Sequence, residues 1–184
     1  MQKLLKAKSI LMKINGQSLQ RDYSRQVELP RPDGSSVILR LQPLPLGFHR
    51  QVKKQGILAP LPPARIARDS SGRPLRDERG VAIMLEDEHD RVFLEEWELY
   101  HQRLAVLIVA KALEVDPTVE FETVPPNQLD DWAEYADELY AELEASGFSA
   151  GDLIYLCEEV CRMSNLAGEH LSQATTDFIP QSNP

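Results

Sequence analysis

Four histidines, two cysteines and twenty-nine acidic residues are the side chains of this chain that could hold a metal or move a proton. The most suggestive spacing is Glu-x-x-His, which occurs at Glu86 with His89 and again at Glu98 with His101. Carboxylate-bridged di-metal proteins take one such motif from each of two facing helices. Here both copies fall on or beside one helical stretch, twelve residues apart. That is about 18 Å of helical rise, too far for a shared metal pair.

Cys157 and Cys161 stand four apart on a predicted helix. Their side chains run parallel and do not readily form a disulfide, and without a second thiol pair the zinc signal is weak. Both read as structural core thiols. His49 lies among Arg50, Lys53 and Lys54 and reads as a solvated side chain rather than a general base. The nine glycines are scattered singly, none ahead of a Lys-Ser or Lys-Thr pair, and no serine occupies a Gly-x-Ser-x-Gly elbow. The chemistry-bearing residues therefore point away from an enzyme, and no cofactor or metal is expected.

Charge is distributed more unusually than the catalytic types. Residues 112–161 contain no Lys or Arg but fourteen Asp and Glu. Residues 1–76 reverse the sign, with fifteen Lys and Arg against four acids, a balance of +11 inside a chain whose formal net charge is -9. Such a split can steer a partner, draw copies of the chain together head to tail, or fold one half onto the other. A nucleic-acid partner is disfavoured. The sequence pI is about 5.0, no aromatic residues interleave with the cations of residues 50–79, and the acidic block would repel the polymer.

The elements that must carry these residues read as follows. Alternating apolar positions in residues 25–29 and 37–41, with Asp33-Gly34 between them, predict an antiparallel β-hairpin over residues 24–42. Residues 46–55 predict a short helix anchored by Leu46, Phe48 and Val52 and ended at Gly56. Residues 56–88 read as a mobile basic excursion with two Asp-x-x-Gly turns, at Asp69 and Asp77. No internal repeat is evident. A long helix is expected over residues 89–115, amphipathic at first and apolar on all sides over residues 104–110, which places its second half in the core. That apolar run is far short of the roughly 20 residues needed to cross a bilayer.

Val119, Phe121 and Thr123 suggest an extended connector ending at Pro125-Pro126. Asn127 with Asp130 predicts the cap of a helix running to Ser146, with Trp132, Tyr135, Ala136, Leu139 and Leu143 on one stripe. Ser149 with Asp152 predicts the cap of the last helix, which buries Leu153, Leu156, Cys157, Val160 and Leu171. The expected fold is α+β, an N-terminal antiparallel β-hairpin or small sheet packed on a mainly helical C-terminal part. Residues 1–20 form a basic extension, 21–171 one domain and 172–184 a polar tail anchored only by Phe178 and Ile179. Lys3, Lys6, Lys8 and Lys13 interrupt any signal-peptide core, so a cytoplasmic, reduced protein is expected.

Three stretches together resemble the phage tail assembly chaperones of long-tailed phages and prophages: the hairpin with its exit (residues 27–44), the mid-chain helix (100–113) and the acidic helical end (132–143 and 151–153). The likeness covers most of residues 21–170 and departs from the shorter members at residues 60–80 and in the lysine-rich start. It implies a non-catalytic viral protein of the bacterial host cytoplasm, binding and solubilising the tape-measure protein during tail assembly, with the tail-tube protein and further copies of itself as additional partners. On that reading the client-contacting residues are Trp97, Trp132, Tyr135, Leu139 and Tyr140 on the helices and Arg50, Lys53 and Lys54 on the short basic helix. The alternative is a small regulatory nucleic-acid binder using residues 50–79.

Overall fold

The computed structural model describes residues 13–18, 23–127 and 131–166, and these form an α+β fold. Strands β3 (Arg25–Pro30) and β4 (Ser36–Leu41) pair antiparallel with Val27 opposite Leu39 and Leu29 opposite Val37. The two-residue side-chain period puts Val27, Leu29, Leu39 and Leu41 on one buried face. In the turn, Gly34 takes φ +83° and the Asp33 carboxylate accepts the Ser35 amide and hydroxyl. A smaller hairpin precedes it, β1 (Lys13–Ile14) with β2 (Gln17–Ser18), turning through Asn15 and Gly16, both at positive φ. Asn-Gly is the strongest short hairpin signal and marks structure within what reads as a bare basic extension.

Four helices follow among the described residues: α1 (Phe48–Lys54), α2 (Arg91–Leu113), α3 (Trp132–Ala145) and α4 (Ala150–Met163). Helix α1 buries Phe48 and Val52 and stops at Gly56, φ +81°. Leu46, an expected anchor, instead lies outside the helix and is fully exposed. Helix α2 opens on Asp90, whose carboxylate accepts the Phe93 amide, and buries four consecutive residues, Val106 to Val109, then Ala112 and Leu113. A helix buried on all sides needs neighbours on all sides, and β4, α3 and α4 supply them.

Helix α3 begins later than the Asn127 and Asp130 pair suggests, at Trp132 after Asp131, which makes no side-chain cap bond; Asp130 lies outside the described residues. Gly147 at φ +84° ends the connection, and Ser149 with Asp152 closes a full capping box on α4. Leu156 and Val160 are fully buried, Leu153 and Cys157 partly so, and Leu171 lies outside the described residues. The Cys157 thiol donates to the Ala105 carbonyl oxygen, and burial pushes its pKa up to about 12, which suits a structural thiol.

Opposite charges join the two halves of the chain. Arg31 bonds Asp152 at 2.7 Å, and its guanidinium lies 5.3 Å from the Phe148 ring centroid. Arg25 bonds the buried Glu159 at 2.9 Å, and Arg162 pairs with the other oxygen of the same carboxylate. Beside them, the buried Asp116 carboxylate accepts the Arg40 amide and both donors of Thr118. The hairpin is thus fixed to α4 and to the residues after α2 by charge-assisted hydrogen bonds.

The stretch expected to be a mobile excursion carries a regular hydrogen-bond pattern. Strands β5 (Ala64–Ile66) and β6 (Met84–Glu86) form an antiparallel stem. At its tip three amides close a ring: Ala67 donates to Ile83, Ile83 to Leu75, and Leu75 to Ala67. These residues are eight apart, and the two intervening lobes are copies of each other. In each lobe an aspartate (Asp69, Asp77) caps amides two and four residues on, a glycine (Gly72, Gly80) takes positive φ, and an arginine (Arg68, Arg76) donates to that glycine's carbonyl oxygen. Residues 67–74 and 75–82 are therefore an internal repeat, Arg-Asp-x-x-Gly, too short to stand out from ordinary turn chemistry. Nor is the whole of residues 56–88 basic, since five arginines face six acids there.

Asp152 is held below the ordinary aspartate pKa first by the Ser149 amide, against the opposing effect of burial, and then by the Ser149 hydroxyl and Arg31. A depressed folded pKa gives stability that is complete above the unfolded value, about 3.9, and lost as pH falls through the lower folded one. Urea midpoints are expected to be flat down to about pH 5 and to fall below about pH 4. Asp152→Asn should lower the midpoint at pH 7 and make that acid limb shallower. A second expectation concerns the ring: nothing lies within 4 Å of a Cβ added at Gly72, so Gly72→Ala tests backbone conformation alone. Strain of about 1 kcal/mol should speed amide exchange at Ala67 and Leu75 about fivefold while leaving the thermal midpoint of the core unchanged.

Candidate functional site: an apolar cleft beside the basic helix

Where α1, the second half of α2, the connector after α2 and the start of α3 meet, they leave an open cleft of about 270 Å³. Each wall has a local cause. Helix α1 stands over α2 because Phe48 and Val52 are its only buried residues and both face the core. Its preceding chain is tied to the C-terminal end of α2, where Gln42 donates its amide to the Ala112 oxygen and its side-chain nitrogen to the Lys111 oxygen. Those carbonyls are among the four that a helix end cannot satisfy by itself.

The connector forms the facing wall. Its amides at Glu122 and Thr123 both donate to the Glu142 carboxylate of α3, at 2.7 and 3.0 Å. Burial works to raise the Glu142 pKa, but the bonds from Thr123 and the Glu122 amide outweigh it and hold the carboxyl below its usual value. So anchored, Phe121 and Val124 face the cleft, and Trp132 and Tyr135 complete it with rings 5.2 Å apart, edge to face. Burial raises the Tyr135 phenol, helped by the charges of Glu114 and Glu142, so it remains a neutral donor at physiological pH. At the mouth Lys111 and Glu114 pair at 2.7 Å.

Of the residues singled out in the sequence, Trp132 and Tyr135 meet in this cleft, whereas Arg50, Lys53 and Lys54 lie exposed on α1 and are not among the residues that line it. The others are elsewhere. Leu139 is fully buried in the core and offers no surface to a partner, a correction that follows from its place at the centre of the α3 stripe facing α2. Tyr140 lines a separate groove with Leu143, Phe148 and Leu153 between α3 and α4. Trp97 sits ten residues before Leu107 on α2, about 15 Å along the helix, in a row with Phe93, Tyr100 and His101. Around that row Val92, Leu94 and Leu99 are exposed.

Sequence reasoning missed Phe48, Leu107, Phe121 and Val124 as cleft residues, having assigned them to helix anchors and a connector. The alternation at Val119 and Phe121 was the available signal. As for metal chemistry, no three His, Cys, Asp or Glu side chains come together among the described residues as a metal would require. His101 of the second Glu-x-x-His turns its Nδ1 to the Trp97 carbonyl oxygen, 2.8 Å away. Nor is any described helix long and apolar enough to cross a membrane.

In comparisons with known proteins, no family model, no curated protein and no solved structure matches this chain.

The assignment of Leu139 to the core and of the α1 cations to the surface has a direct check by urea unfolding. Leu139→Ala should remove about 3 kcal/mol of unfolding free energy. Lys53→Ala with Lys54→Ala should change it by no more than about 0.5 kcal/mol.

Proposed function

We propose that this chain is a non-catalytic phage tail assembly chaperone that holds apolar segments of the tape-measure protein and keeps them from aggregating until the tail tube polymerises. The observation that carries the reading is the cleft between Phe48, Phe121, Trp132 and Tyr135. An open, aromatic-walled groove with few polar groups receives the apolar anchors of a helical client, and aromatic walls are the usual high-affinity contacts in such grooves. The cations on the outer face of α1 and the acids of α3 and α4 keep the remaining surface hydrated and steer charged clients.

Further support comes from the first half of α2. Its exposed Val92, Leu94 and Leu99 stand outside the core, on the half of α2 that follows the finger of residues 64–86 in sequence, and offer further apolar surface to a long client. Of the elements that carry the resemblance to the chaperone family, the mid-chain helix and the first of the two acidic helices also wall the cleft. A nucleic-acid role for residues 50–79 draws less support. Arg68 and Arg76 each direct a guanidinium nitrogen to a lobe carbonyl, and four acids offset most of the charge of the finger's five arginines.

Co-expression with the neighbouring tail genes followed by affinity capture is expected to recover the tape-measure protein with several copies of this chain bound. Trp132→Ala combined with Tyr135→Ala should abolish capture while leaving the circular dichroism spectrum intact. A folded wild-type chain that captures no tail protein would sink the reading.

A further inference from the structure

A second cleft, of about 280 Å³, opens between the hairpin, the connector after α2 and the end of α3, with Val37, Leu113, Val119 and Phe148 among its walls. Phe121 is the residue it shares with the first cleft, of about 270 Å³. Helix α3 runs past both: Trp132 and Tyr135 line the first, Glu142, Leu143 and Ser146 the second. From Trp132 to Ser146 a helix rises about 21 Å. Phe121 therefore stands as a partition part-way along one trough beside α3.

The partition is lightly held. Thr118 and Val119 bond back to Asp116 within the connector itself. Among the described residues, the hydrogen bonds that tie residues 118–125 to another element come from the Glu122 and Thr123 amides, and both end on the Glu142 carboxylate. Val119 and Phe121 are only partly buried against the core. A segment with so few ties opens at a lower free energy than the helices around it. Size points the same way, since ligand sites occupy roughly 300–1,000 Å³. Each cleft alone is smaller than that, and the two joined are not.

Charge selects the occupant. The charged residues lining the two clefts are Lys111 and Glu114, which pair with each other, and Glu120 and Glu142. Exposed Glu134, Glu138 and Glu144 on α3 add to the same sign. A partner that lifts the connector also frees Glu142 from two amides, and a carboxylate released in this way pairs best with a cation.

We infer that the two clefts are halves of one groove whose ligand is an amphipathic helix of about four turns, basic beside its apolar stripe, which displaces Phe121 and the connector as it seats. In the free chain Phe121 fills the place of the ligand's central anchor. In the complex Glu142 exchanges its two amides for a Lys or Arg of the ligand. The inference rests on the reading of the first cleft as a client site, and adds the length, the charge and the mode of entry of what it takes.

The test uses the full chain and a synthetic peptide of that length made of leucine and lysine, the leucines at helical spacing, with a leucine and glutamate peptide of the same pattern as control. With the lysine peptide bound, the Glu122 and Thr123 amides should exchange about tenfold faster, although binding ordinarily slows exchange. Phe121→Ala should tighten binding about fivefold, because the competitor for the groove is gone. Were Phe121 merely a wall that the ligand touches, the same change would weaken binding. The exchange measurement needs no variant, so a Phe121→Ala chain that fails to fold leaves the test standing. Glu122 and Thr123 staying protected in the complex overturns the inference. So does weaker binding by a folded Phe121→Ala chain, or a lysine peptide that binds no better than the glutamate one. Capture of the tape-measure protein alongside any of these results would leave the client reading intact, which keeps the two failures apart.

Discussion

Everything in this molecule is arranged around the burial of residues 106–113 of α2. Val106, Val109 and Ala112 have no exposure at all, and Leu113 very little. A helix segment apolar around its whole circumference cannot sit on a surface, so the hairpin, α3 and α4 must each cover a side. Its C-terminal carbonyls would then be stranded in an apolar setting, and Gln42 meets two of them from the end of β4. The cleft follows from the same constraint. Helix α1 and the connector are what remains to cover the last side, and being held by Phe48, Val52 and the Glu142 carboxylate they leave a gap between them.

The opposite charges of the two ends act inside the molecule as well as on its surface. Arg25 and Arg31 meet Glu159 and Asp152 across more than 120 residues of sequence. Such pairs add little net stability, because desolvation offsets most of the attraction. Their larger effect is to fix register: a slip of one residue in the hairpin would remove both arginines from their carboxylates and turn Val27 and Leu29 to solvent. Glu134, Glu138 and Glu144 of α3 and the cations of α1 remain exposed on the outside.

What could be read from the chain beforehand divides along the range of the interactions. The hairpin, the Ser149 capping box, the apolar centre of α2 and the glycine stops at Gly56 and Gly147 are local, set by residues within a turn or two, and all appear in the structure. Leu46 was misplaced because helical spacing continues one turn past the point where Pro43 and Pro45 let a helix begin. Leu139 shares a stripe with Trp132 and Tyr135, and periodicity cannot say which members of a stripe reach the core and which stop at its edge. The cleft joins Phe48, Leu107, Phe121 and Trp132 from four separate elements, and no pattern within any one of them encodes that meeting.

The stem of the finger has one further consequence. The Asp87 amide donates to the Pro63 carbonyl oxygen at 2.9 Å, so both feet of the stem stand side by side. Seen from the helices, twenty-three residues count as little more than a tight loop. The length and identity of what is mounted there are consequently uncoupled from the packing beneath, and lobes can be lost, duplicated or exchanged in whole octads without disturbing the foundation. A scaffold with such a socket can change what its outer end presents while its centre evolves at its own pace.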